Sequence, residues 1–160
     1  MANVFLSADE QRSAIATNDN IFGAAGSESA ILQGGVSGVE IDGQVERLDS
    51  PLSLGEHTFQ VTSEGFQISA DGNVLATVLS VPDAGLDFRA ADGNVTVTQT
   101  ATEEFTLANP SDPSDSQPVT TTEVDGSNLG ITLGGDTSAS GGGNMAPTIA
   151  AQSFTVVEDG

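Results

Sequence analysis

The clearest periodicity in the chain lies between residues 57 and 69. Phe59 and Val61 alternate with Thr58, Gln60 and Thr62; after Ser63-Glu64-Gly65, Phe66 and Ile68 alternate with Gln67 and Ser69. A period of two broken by turn residues predicts an antiparallel hairpin with one buried face. Residues 74–81 are apolar at both parities, which predicts a central strand covered on both sides. Residues 86–90 and 95–99 extend the meander. Asp42-Gly43-Gln44-Val45, Asp71-Gly72-Asn73-Val74 and Asp92-Gly93-Asn94-Val95 repeat one turn pattern. Glycine supplies the left-handed backbone of a tight turn, and the aspartate accepts from its own following backbone.

Residues 18–49 follow a different rhythm. Short apolar pieces (Ile21-Phe22, Ala30-Ile31-Leu32, Val39-Glu40-Ile41, Val45-Glu46-Arg47-Leu48) are separated by Gly23, Gly26, Gly34, Gly35, Gly38 and Gly43. Strands this brief, at intervals of about eight to ten residues, fit a small β-roll or solenoid turn as well as a tight meander. Helix signals are weak throughout. Ser7 and Glu10 have capping-box spacing and predict at most one turn. The fold class expected is all-β: a sandwich or β-roll of short, mainly antiparallel strands, followed by a flexible Gly/Pro-rich C-terminal region.

Large apolar residues divide the chain. Val, Ile, Leu and Phe number 30 in residues 1–107 and 9 in residues 108–160, so the first part can close a core and the second cannot alone. Residues 1–107 are expected to form the all-β domain. Residues 108–145 read as a Pro/Ser/Gly-rich linker, with a break at 109–118, linker composition at 138–144 and two short strands possible at 119–124 and 129–133. Residues 146–160 read as the first strand of a further domain that the chain does not complete.

Composition narrows the partners. The chain has 23 acidic residues against Arg12, Arg47 and Arg89, no lysine, and a formal charge of -20. It repels nucleic-acid phosphates and anionic headgroups, which argues against nucleic acid and membrane insertion as partners. Cysteine is absent, which removes thiol catalysis, disulfides and thiolate zinc sites. The first residues lack a basic region and a long apolar stretch, so they do not read as a Sec leader. Export, if it occurs, is expected by a Sec-independent route.

Catalytic patterns are missing. There is no Gly-x-Ser-x-Gly, no Walker loop and no His-Glu-x-x-His. His57 is the only histidine and reads as a surface residue at a strand start. Asp9-Glu10, Glu103-Glu104 and Glu158-Asp159 are adjacent pairs, and strand neighbours point to opposite faces, so none can flank a scissile bond by itself. Trp and Tyr are absent, which removes the usual stacking platform for sugars. No enzyme activity and no catalytic residue are expected. Arg47 and Arg89 are expected to pair on the surface with Glu46, Asp49 or Asp87, each pair contributing about 0–1 kcal/mol.

Hard cations suit the remaining chemistry, since calcium takes six to eight oxygens from carboxylates, amides and carbonyls. Residues 18–29, with Asp19-Asn20-Ile21-Phe22-Gly23, resemble the RTX nonapeptide repeat, whose tandem copies coil into a β-roll that binds calcium between turns. Ala24-Ala25 and Ser27-Glu28 depart from that pattern, and there is no second clean copy. The resemblance implies a calcium site at Asp19 and Asn20. Residues 4–100, through Ile21-Phe22-Gly23, Gly35-Val36-Ser37-Gly38-Val39, Val45-Glu46-Arg47 and Asn73-Val74-Leu75-Ala76-Thr77-Val78, resemble N-terminal domains of large repeat proteins exported by type I secretion. Residues 146–160 resemble the first strand of cadherin-like and Ig-like repeats of bacterial surface proteins. That resemblance implies calcium at Glu158 and Asp159, at the junction with a neighbouring domain.

Together these readings lead to an expectation: a non-enzymatic N-terminal module of a large secreted adhesin or surface-layer-type protein, extracellular or at the cell surface, calcium-stabilised, with neighbouring domains of its own polypeptide as partners. Two alternatives stand beside it. One is a self-assembling fibre subunit, whose residues 153–157 add to a sheet edge of another copy. The other is the accessory head of a secreted hydrolase whose catalytic domain lies downstream.

Overall fold

The structure is a computed structural model of the chain and describes residues 1–13 and 15–138. It is all-β: two seven-stranded mixed sheets face each other across one hydrophobic core. The strands are β1 (Asn3–Phe5), β2 (Gln11–Arg12), β3 (Asn20–Phe22), β4 (Ser29–Ile31), β5 (Val39–Ile41), β6 (Arg47–Asp49), β7 (His57–Thr62), β8 (Gly65–Ala70), β9 (Asn73–Val78), β10 (Leu86–Ala90), β11 (Gly93–Ala101), β12 (Glu104–Asn109), β13 (Asp112–Val119) and β14 (Val124–Asp125). The first sheet has the order β1-β3-β5-β9-β8-β7-β14, the second β13-β12-β11-β10-β6-β4-β2.

That order shows two building plans joined end to end. From β1 to β6 the chain crosses from one sheet to the other at every strand, so each strand lies parallel to the one two before it. This is a parallel roll of three coils. Gln11, Ser29 and Arg47 stand in register at steps of 18 residues; Val4, Ile21 and Ile41 do so at steps of 17 and 20. From β7 onward, hairpins replace coils. The two plans meet where β5 pairs parallel with β9 and β6 pairs parallel with β10, so the roll continues into the sandwich without a gap in either sheet.

The expected hairpin is β7–β8, with Phe59 opposite Ile68 and Val61 opposite Phe66. The strand read as doubly apolar, β9, lies at the centre of its sheet. Asp71-Gly72 and Asp92-Gly93 turn the β8–β9 and β10–β11 hairpins. Asp42-Gly43 instead turns a corner of the roll. Parallel pairing accounts for half of the twelve strand pairs and belongs wholly to the coils and their junction. Ser7 and Glu10 make a turn, not a helix: Ser7 N–H donates to Glu10 Oε2 and Glu10 N–H to Ser7 O.

Residues 108–138 differ from the linker reading. β12 runs through residue 107 to Asn109, and the segment read as a Pro/Ser-rich break is β13. Prolines are tolerated there because β13 is an edge strand, and an edge needs N–H donors on one side only. Residues 119–124 pass along β7, with Val61 N–H bonded to Thr120 O and Val124 paired with Phe59. Residues 129–133 form no strand. Leu129, Ile131 and Leu133 pack against the core as half-buried side chains, and their backbone is tied by Gln117 and Asp115 side chains instead of a ladder.

The core between the sheets centres on Phe59, Phe66, Phe88 and Phe105. The rings of Phe59 and Phe88 meet edge to face at 5.8 Å, and Phe66 lies 5.4 Å from Phe105. Phe88 is fully buried and touches the first sheet from the second. Phe88→Ala is therefore expected to lower the unfolding free energy by about 3–5 kcal/mol, read from urea titration followed by circular dichroism.

Candidate functional site

Among the described residues, two of the three buried acids, Asp19 and Glu28, sit at the corners of the roll. A parallel coil of two- and three-residue strands leaves many corner N–H groups without a ladder partner, and buried donors must be satisfied. Acidic side chains take that task here. On one side of the roll, Ser27 N–H donates to Asp9 Oδ1 (2.9 Å), Asp9 N–H to Glu28 Oε1 (3.0 Å) and Ala24 N–H to Glu28 Oε2 (3.0 Å). Glu28 N–H in turn donates to Glu46 Oε2 (2.8 Å), and Gly23 N–H to Asp42 Oδ1 (2.9 Å). On the other side, Ala2 and Ala16 N–H groups donate to Asp19 Oδ1 and Oδ2 at 2.8 and 2.9 Å.

Most of these bonds join residues 17 to 19 apart, one coil to the next. Glu28 is completely buried and Asp19 nearly so. Gly26 makes room for this arrangement, since a Cβ there would lie 2.5 Å from Glu28 Oε1 and 2.9 Å from Asp9 N.

Of the four residues expected at calcium sites, two can be placed. Asp19 spends both carboxylate oxygens on backbone N–H groups. Asn20, the next residue, lies on the strand: its Nδ2 donates to Asn3 Oδ1 at 3.0 Å, an amide pair across β1 and β3. The two side chains thus serve separate partners. Among the described residues, no group of three or more His, Cys, Asp or Glu is placed to hold a metal ion. Glu158 and Asp159, with the strand expected at 153–157, lie outside the described residues.

The outer face of the second sheet carries the cation-bearing cluster. Arg47 meets Asp49 in a two-pronged contact, Nε to Oδ1 and Nη2 to Oδ2, both 2.7 Å. Asp49 is fully buried, so this is no free surface pair, and its hydrogen bonds push the guanidinium pKa further up. Arg89 Nε bonds Asp87 at 2.6 Å, and Arg89 Nη2 reaches Asp136 at 3.4 Å. Asn94 donates to Asp87 and accepts from Asp136 N–H. With the Asn94–Gly134 bridge and the Ser138 N–H to Ala90 O bond, this cluster fastens residues 134–138 across β10 and β11. At the sheet's edge, Asp115 accepts from Thr132 N–H and Asn109 Nδ2, which lowers its pKa.

His57 is not on the surface. It is fully buried, 5.2 Å from the Phe88 ring and 6.2 Å from Phe59. Nδ1 lies 2.8 Å from Ser53 O, so it carries the proton; Nε2, 2.8 Å from Ser50 Oγ, then accepts from the hydroxyl. Burial lowers the imidazole pKa, and the Ser53 carbonyl opposes that only in part. The sequence held the signal that was missed: His57, Phe59 and Val61 share one parity in β7, and that parity faces the core. Ser50 borders a cavity of about 350 Å³ walled by Leu32, Val36, Leu52 and Leu75. Both Ser50 and His57 are nevertheless fully buried. Their bond acts as a strut between β6 and β7, and no solvent-facing nucleophile results.

No known protein family, curated protein or solved structure matches the chain. Among the described residues, no helix is long and apolar enough to cross a bilayer.

The buried imidazole makes stability depend on pH in a defined direction. Its folded pKa lies below the unfolded value of 6.5, so the unfolded chain binds the proton first as pH falls. This contribution is intact above 6.5 and is lost as pH drops from there through the folded pKa, by up to about 1.4 kcal/mol per pH unit. Urea titrations between pH 7.5 and 5.5 should show that decline in the native chain, and His57→Gln should flatten it.

Proposed function

We propose that the chain is a non-enzymatic structural module of a large secreted surface protein, of the adhesin or surface-layer type. The observation that carries this reading is the continuity of the coils with the sandwich: β5 runs parallel to β9 and β6 to β10. A roll that grows by whole coils and ends on a closed sandwich is an architecture for display and spacing, built from neighbour-to-neighbour contacts. The polar groups that could carry chemistry are used as struts: His57 with Ser50, Arg47 with Asp49, the corner acids with backbone N–H groups. Acidity without cysteine suits a soluble exterior that must resist sticking to anionic surfaces.

In the source cells, antibodies raised against the 160-residue chain should detect an extracellular or surface-bound polypeptide much larger than 16.1 kDa. An intracellular species of the chain's own mass would overturn the proposal.

A further inference from the structure

We infer that carboxylate-to-amide bonds stand in this roll where calcium stands in calcium-braced rolls, so that the coils fold without the ion. The inference goes beyond the module's proposed role and rests on the geometry of its corners. A calcium ion draws six to eight oxygens to about 2.3–2.6 Å, several of them carboxylate. The two most buried corner carboxylates present both oxygens to N–H donors instead: Glu28 to Asp9 and Ala24, Asp19 to Ala2 and Ala16. Those N–H dipoles point their positive ends at the carboxylate oxygens. A cation there would have to displace these donors from both oxygens of each buried carboxylate.

The neighbouring acids are engaged in the same way. Asp9 accepts from Ser27, Asp42 from Gly23 and Gln44, and Glu46 from Glu28. Each coil therefore supplies acceptors for the donors of another coil, as an ion between turns would require of both. The departures from the RTX pattern fit this exchange. Glu28 stands where that pattern has an aspartate, and its longer side chain reaches Asp9 on the neighbouring coil. Gly26 leaves space for the carboxylate.

The test is thermal unfolding of the full 160-residue chain, followed by far-ultraviolet circular dichroism in excess EGTA, in millimolar calcium and in millimolar magnesium. The chain should be fully folded in EGTA, and calcium should raise Tm no more than magnesium does. Glu28→Gln replaces one acceptor with a donor facing a backbone N–H, and should lower Tm by about 3–10 °C in all three buffers alike. Asp42→Asn, at a half-buried corner, is the milder variant and should fall in the same direction by less. Loss of sheet signal in EGTA that calcium restores, or calcium-selective recovery of either variant, would overturn the inference.

Discussion

Corner carboxylates that accept backbone N–H groups from the next coil set the terms for the N-terminal half of the molecule. Strands of two or three residues form ladders too short to satisfy their own turns, and the core inside the roll is narrow, built from Leu6, Ile15, Ile21, Ala30, Leu32, Val39, Ile41, Val45 and Leu48. A hydrogen bond to a charged acceptor contributes about 1.5–3 kcal/mol, against a total stability of about 5–15 kcal/mol for a typical domain. A few such bonds therefore decide whether coils this thin hold together. They also explain why full burial of Glu28 is tolerated: its charge is met by oriented N–H dipoles on two coils.

The junction between roll and sandwich depends on a second set of bonds. Parallel pairing of β5 with β9 and of β6 with β10 extends both sheets. The His57 imidazole then links the sides: it bonds Ser50, just after the last roll strand, stacks on Phe59 and meets Phe88 edge to face, the two rings belonging to the two sandwich sheets. On the outer face, Arg47 of the roll and Arg89 of the sandwich lie on adjacent strands and share a patch of aspartates. Two of the chain's three arginines are thus placed where the two plans meet; the third, Arg12, lies on the edge strand β2 beside Glu10.

How much of this could be read from the sequence follows from the range of the interactions. The hairpin around Phe59 and Phe66 and the central place of β9 were legible, because alternation and adjacent turns are local signals. The short Gly-separated pieces of residues 18–49 left a roll and a meander equally open; the choice depends on pairings 17 to 20 residues apart that no local pattern records. β13 was hidden because Pro113 and Pro118 argue against a strand unless its edge position is known. The buried His57 was legible in principle from its parity with Phe59. Asp19 was singled out as a calcium ligand, whereas its partners in the fold, Ala2 and Ala16, are backbone donors that sequence does not distinguish from any others.

The most direct measurement is amide hydrogen exchange, resolved by residue, on the metal-stripped chain. The N–H groups of Asp9, Gly23, Ala24 and Ser27 lie in corners outside the strands, and all donate to carboxylates. The account predicts that they exchange slowly, with protection comparable to ladder amides of β3 and β5. Exchange of these four amides at the rate of an open loop, while the ladders of the sandwich stay protected, would contradict it.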